Sequence, residues 1–279
     1  MASTVRISPA DVARRRFVRP FVALVVVLLA ACRTDGGSDS PEPTPAEAAS
    51  PTGTWRVACD FDNPPFAGFD ESGRPVGRDV EMTQLLARRL GLELEWVQLP
   101  FEELLPAVEA ARVDAVVATV GITPERSERV FFSRPYYETT IAVLVRRGAG
   151  EPQTIADLAH GTVHAGVGTT SERAVIERLG REVLFAGSKD GQSAVGLLLG
   201  LATDALAMDE PNAAALLRER PEELRILRES LARERYAIAV NKRSWRMLAR
   251  IDGELRAMAN EGELTRLDTD YGLAEAMRR

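Results

Sequence analysis

Cysteine and histidine are both scarce in this chain. Its 279 residues hold two cysteines, Cys32 and Cys59, and two histidines, His160 and His164. Two thiols exclude the multi-bridge framework that staples small secreted domains. Two imidazoles four apart, in His-Gly-Thr-Val-His, fall short of a metal-ligand set. No metal site is expected, and both histidines read as loop or strand residues. Excess positive charge is also lacking. Lys+Arg number 35 against 41 Asp+Glu, a net charge of −6, and the basic residues after Trp55 are spread along the chain. That pattern excludes the basic patch a nucleic-acid partner needs. The apolar run from Phe21 to Ala31 is too short to span a bilayer. What remains is a globular balance, 45% hydrophobic and 27% charged, in a length that allows one large or two ordinary domains.

The first 32 residues read as an address rather than a fold. Arg14-Arg15-Arg16 and Arg19 supply a positive start, and Phe21 to Ala31 an apolar middle. Leu29-Ala30-Ala31-Cys32 then sets small residues before a cysteine, the lipobox pattern. Cleavage before Cys32 and lipidation of its thiol are expected. Arg14-Arg15-Arg16-Phe17-Val18-Arg19 also resembles a twin-arginine export signal, and the general export route stays open. Residues 33–54 are rich in Ser, Pro, Glu, Ala and Gly and carry almost no large apolar side chain. Such a run cannot bury enough surface to offset its own ordering entropy. It reads as a flexible linker that holds a folded body off a membrane. Cys59 is left unpaired, alternating with Trp55 and Val57 as a buried strand residue would.

Beyond that strand the period switches back and forth. Met82, Leu85, Leu86 and Leu90 recur at helical spacing, and Gly91 ends that helix. Leu92, Leu94 and Trp96 alternate as a strand. Phe101, Leu104, Leu105 and Val108 mark a second helix, with Pro106 near its first turn. Val113 to Ala118 is the nearly continuous apolar run of a central parallel strand. The order implies an α/β lobe. A second lobe repeats it. Val163, Ala165 and Val167 form a strand, Ser171 to Leu179 a helix closed by Gly180, and Ser193 to Leu201 a helix weakened by Gly196 and Gly200. Ala205 to Met208 is a strand, and Asp204-Ala205 opens it as Asp114-Ala115 opens its counterpart. Two more strands, Ile141 to Val145 and Tyr236 to Val240, flank the second lobe.

One stretch breaks a local rule. In Gly121-Ile122-Thr123-Pro124-Glu125-Arg126-Ser127-Glu128-Arg129, Thr123 reads as an N-cap and Pro124 as the first helical residue. Arg126 then lies near the positive end of the helix dipole, a misplacement of roughly 0.3–1 kcal/mol. An arginine fork beside free backbone N–H groups suits a carboxylate held by two parallel hydrogen bonds. This stretch resembles the bacterial extracellular solute-binding proteins of family 3. Further landmarks fall in that family's order from about Trp55 to about Gly272. They are Asp60-Phe61-Asp62-Asn63-Pro64-Pro65-Phe66, Val76-Gly77-Arg78-Asp79, Val113-Asp114-Ala115, Phe132-Ser133-Arg134-Pro135-Tyr136-Tyr137, Gly168-Thr169-Thr170-Ser171 and Asp204-Ala205-Leu206-Ala207-Met208-Asp209.

The resemblance implies an α/β, two-lobed, periplasmic-binding-protein-like (type II) fold with a two-strand hinge. Lobe 1 would be residues 55–145 plus 236–279, and lobe 2 residues 146–235. The implied function is capture of a polar α-amino acid by hinge closure, with delivery to the permease of an ABC transporter. The protein would be an extracytoplasmic monomer on a lipid anchor, with no cofactor and no covalent chemistry. Arg126 would clamp the ligand carboxylate with the backbone N–H of Thr170, and Asp209 would hold its ammonium. Pro211 as first helical residue would make Glu210 the helix cap and leave Asp209 free. Asp60 would contact the ligand side chain, Phe101 would pack on it, and Thr119 fills a polar strand-end position.

Departures from the family shade this picture. Gly121 replaces a frequent Ser or Thr, which removes one hydroxyl contact. Asn63 replaces a frequent aromatic, which leaves one aromatic wall. Arg78 replaces an aromatic before Asp79, itself read as structural. Asp60, and the lack of a second pocket arginine, turn the expectation away from Asp and Glu toward glutamine-like or cationic ligands. One alternative on this fold is a cyclohexadienyl dehydratase, which needs an acid and a base in the cleft. The pocket positions identified offer carboxylates but no His, Cys or Lys. A second alternative is the ligand-sensing module of a receptor.

Overall fold

The structure, a computed structural model, describes residues 53–273. The expected signal peptide (residues 1–32), Cys32 and nearly all of the linker lie outside the described residues. The linker was expected to reach residue 54, but Thr54 already pairs with Glu93 as the first residue of a strand.

Two sheets organise the described chain. The first has the order Glu93–Gln98, Thr54–Cys59, Ala115–Val116, Ala239–Val240, Phe131–Phe132. Its first two pairings are parallel and its last two antiparallel. The second has the order Leu224–Ile226, Tyr137–Arg146, Ala205–Asp209, Val163–Gly166, Leu184–Gly187, and Ala232–Tyr236 also pairs with Tyr137–Arg146. Each sheet has its own buried clusters. Trp55, Val57, Leu86, Val117 and Ile251 meet on one side of the first sheet, and Ala58, Leu104, Val108 and Val116 in a separate cluster. Ile141, Val143, Val163, Ala165 and Val175 fill the second lobe, with Leu144, Leu198 and Leu206 in a further cluster.

The shared Asp-Ala strand opening has a physical basis. Asp114 Oδ2 accepts the backbone N–H of Arg56 at 2.8 Å, and Asp204 Oδ2 accepts that of Thr162 at 2.8 Å. Each aspartate thus closes the last rung between two neighbouring strands, where a backbone N–H would otherwise be unpaired.

One expected boundary is corrected. Ile141 to Val145 was assigned to the first lobe, yet Tyr137–Arg146 pairs throughout with strands of the second sheet. Its alternate residues Ile141, Val143 and Val145 enter the second-lobe core, which fixes the strand there. The chain therefore crosses before Tyr137, and it returns between Tyr236 and Ala239. The two crossings bond to each other: Tyr136 N–H donates to the Tyr236 carbonyl at 3.0 Å, and Ser133 N–H to that of Ile238 at 2.8 Å.

Helix ends follow the sequence with small shifts. Thr123 caps Pro124–Arg129 by accepting the Arg126 N–H at 3.2 Å. The helix expected from Ser193 starts at Gly191, because Asp190 caps it by accepting the N–H groups of Gln192 and Ser193. That cap outweighs the cost of Gly196 inside the helix.

Candidate functional site

A cavity of about 90 Å³ lies between the two lobes. Five of the six expected ligand-site residues line it: Phe101, Thr119, Arg126, Thr170 and Asp209. Asp60 stands at its edge, with its side chain 5% exposed, and lines the adjoining opening with Phe101.

Arg126 is carried by the first turn of the Pro124–Arg129 helix. Its Nη1 donates to the Gly121 carbonyl at 2.8 Å and its Nη2 to the Gly168 carbonyl at 3.0 Å, so one guanidinium touches both lobes. Two of its five N–H donors are used in these bonds, which leaves the rest of the fork for another acceptor. Burial lowers the guanidinium's pKa, against the pull of nearby Glu234 and Asp209. Across the cavity Thr169 caps the helix Thr170–Leu179 by accepting the Glu172 N–H at 3.2 Å. Thr170 is therefore the first helical residue, with a backbone N–H that has no carbonyl within the helix.

Asp209 ends the strand Ala205–Asp209 and takes the N-cap position itself, where Glu210 was expected. Its side chain nevertheless makes no capping bond. The strand's direction turns the carboxylate away from the helix and toward Tyr236, whose hydroxyl donates to Oδ2. Burial raises the Asp209 pKa, while Tyr236 and Arg126 act the other way. No ion pair satisfies this carboxylate among the described residues. Glu210, by contrast, accepts from the Thr140 hydroxyl at 2.9 Å.

Several cavity features were absent from the sequence reading. Lys189 lines the cavity, ion-paired to Asp60, with its Nζ 4.7 Å from the Phe101 ring centroid. His164 lines it too. The expectation of no Lys or His in the pocket is thus corrected. Lys189 comes from a loop with no periodic pattern, and His164 from the strand Val163–Gly166. Asn212 Nδ2 donates to Asn63 Oδ1 at 2.6 Å, and Asn63 Nδ2 to Thr119 Oγ1 at 2.7 Å, a polar chain across the cleft.

Glu234 is the other omission. It is 5% exposed, in the strand Ala232–Tyr236. A Cβ added to Gly121 would lie 1.5 Å from Glu234 Oε1, so the missing side chain at 121 is what makes room for this carboxylate. Burial, then the charge of Asp209, push Glu234 up to about 7, against hydrogen bonding from Thr170 and the pull of Arg126. The buried alternation of Ala232, Glu234 and Tyr236 was the available signal, since a charged residue on an otherwise apolar or aromatic strand face is out of place. Among the described residues no cluster of His, Cys, Asp and Glu could hold a metal ion.

The model of the bacterial extracellular solute-binding proteins, family 3, matches residues 55–274. A probable histidine-binding protein of Campylobacter jejuni is 26% identical over 229 residues, 82% of this chain and 87% of the relative. The L-cystine-binding protein TcyJ of Escherichia coli K12 is 27% identical over 220 residues, 78% of this chain and 82% of the relative. Among solved structures, an ancestral arginine-binding protein bound to arginine superposes with a TM-score of 0.71 at 30% identity, covering 78% of this chain and 98% of that one. The ancestral amino acid-binding protein AncCDT-1, a precursor of cyclohexadienyl dehydratase, gives 0.70 at 27% identity, covering 78% and 95%.

Proposed function

Because this chain belongs to the bacterial extracellular solute-binding proteins of family 3, an extracytoplasmic substrate-binding group with a two-lobed α/β fold, we propose that its cleft captures a polar α-amino acid and presents it to an ABC permease. One observation carries the reading. A single cavity holds an arginine with unused donors, a free helix-start N–H and a carboxylate without an ion pair. A zwitterion leaving water needs these groups, since each of its charges must find an opposite one. Arg126 and the Thr170 N–H take the carboxylate, Asp209 takes the ammonium, and Thr119 also lines the cavity.

The test is calorimetric titration with the twenty amino acids on wild type and Arg126→Ala. Removing one partner of a buried charge pair costs about 3–5 kcal/mol. At about 1.4 kcal/mol per decade, the variant should weaken the best ligand by roughly two to three and a half decades. Binding within about threefold of wild type would sink this site assignment.

The reading extends to a monomer tethered through lipid on Cys32, which Cys32→Ser should release from membranes. It also holds that the cleft binds without turnover. Lys189 and His164 are acid–base candidates, but the first is tied to Asp60 and the second to the Ser188 carbonyl. Lys189 is thereby occupied, and the remaining ring nitrogen of His164, Nδ1, is buried. Conversion of prephenate or arogenate by the pure protein would overturn that part.

A further inference from the structure

The side-chain end of the cleft contains a cation of the protein's own. Lys189 reaches from the second lobe to pair with Asp60 of the first. Its Nζ also stands over the Phe101 ring at 4.7 Å, the arrangement in which an aromatic face attracts a cation. Asp60 and Phe101 are two of the groups that a positively charged ligand side chain would seek here, and one resident ammonium satisfies both.

Lys189 is held in that position by its surroundings. The preceding Ser188 carbonyl accepts from His164 Nε2 at 2.9 Å. Gly166 lets the loop approach the strand Val163–Gly166, because a Cβ there would meet Lys189 Cβ at 2.7 Å and its Cα at 2.9 Å. Asp190 next in sequence is fixed as the cap of the helix Gly191–Leu199. The ammonium is therefore built into the cleft by three separate anchors on its loop.

Resting on the amino-acid reading above, we propose that Lys189 is a specificity-determining residue that fills the cation subsite and directs the cleft to ligands with a neutral carboxamide side chain. A cationic side chain meets Lys189 and finds Asp60 already neutralised. An anionic side chain meets Asp62, which also lines the cavity, beside Asp60. A carboxamide carries one acceptor and a two-proton donor. Lys189, which keeps N–H donors beyond the one given to Asp60, supplies a donor, and Asp62 supplies an acceptor.

The experiment is calorimetric titration of glutamine, arginine and glutamate into the purified full chain and into Lys189→Met, Lys189→Gln and Asp60→Asn. Wild type should prefer glutamine to both charged ligands by about tenfold or more. Lys189→Met uncovers Asp60, so the arginine-to-glutamine affinity ratio should rise by about tenfold or more. Lys189→Gln keeps the stem and a donor for Asp60, so it should fold even if Lys189→Met does not, and should move the ratio the same way. Asp60→Asn leaves Lys189 unpaired and should shift preference toward glutamate. Wild type binding arginine more tightly than glutamine overturns the proposal. So does a ratio unchanged within about twofold in either folded Lys189 variant. Absence of binding by any of the twenty amino acids would remove the amino-acid reading itself, and this one with it.

Discussion

Two tyrosine–aspartate pairs sit on either side of the lobe crossing, and they have opposite fates. At the first, the Tyr136 hydroxyl donates to Asp79 Oδ2 at 2.6 Å. Beside it Arg78, wholly buried, donates to Asp79 at 3.3 Å, to Asp268 at 2.9 Å and to the Tyr136 carbonyl at 3.2 Å. At the second, the Tyr236 hydroxyl donates to Asp209, and among the described residues no guanidinium or ammonium forms an ion pair with that carboxylate. The rings of Tyr136 and Tyr236 lie 6.5 Å apart, so both pairs share one environment. On the proposed reading, the same two residue types are structural where the protein supplies the countercharge and recognitive where it leaves the countercharge to a ligand. Asp79 was read as structural from sequence, and its burial with Arg78 explains why Arg78 can replace an aromatic there. The guanidinium stacks at 5.2 Å on Tyr136 and 5.6 Å on Tyr137, covering the flat surface an aromatic would cover.

Breaking the two pairs should give opposite readouts. Arg78→Met strands two buried carboxylates, and loss of one partner in such a pair costs about 3–5 kcal/mol of stability. A denaturant melt of the unliganded protein should register it, with ligand affinity per folded molecule preserved. Asp209→Asn should do the reverse: affinity falls by roughly two to three and a half decades while the unliganded melt holds or improves. Equal behaviour of the two variants would erase the distinction.

The pH dependence of stability sharpens the contrast. Glu234 is pushed from its ordinary carboxylate value up to about 7. Native protein then holds a proton that the unfolded chain has already released. Its contribution to stability is fully present below about pH 4.5 and is lost as pH rises through about 7, a change on the order of 3 kcal/mol. Glu234→Gln should flatten that slope in melts taken between pH 5 and pH 8. A slope unchanged by the substitution would assign it to other groups. The smallest effect expected is for Gly121→Ala. Its Cβ would press on the Glu234 carboxylate, and overpacking of this kind costs about 1–3 kcal/mol. Glu234→Ala in the same chain should restore the melt, because it removes the group that is struck.

Much of the fold was legible from periodicity and from the ends of elements. Trp55-Val57-Cys59, the apolar run from Val113 and the Thr123-Pro124 helix start carry their reasons locally. The five residues gathered at the cavity were reachable through motif order, because each lies at or just past the end of a strand or in the first turn of a helix. Lys189 was not reachable, since its position depends on the second lobe meeting Asp60 of the first, a contact 129 residues apart. The Asp209 cap was misjudged by one residue because Glu210 and Asp209 are equivalent in type, and only the backbone direction separates them. The crossing was misjudged because an apolar strand between two cores carries no mark of which core it enters.

The bonds that span the cleft have a kinetic consequence. Arg126 reaches the Gly168 carbonyl, Lys189 reaches Asp60, Arg173 reaches Glu125, and Asn212 reaches Asn63. Parting the lobes breaks all four, and two of them are ion pairs that dissolved salt weakens. The pace of lobe opening, and with it the release of anything held between the lobes, should therefore quicken as ionic strength rises.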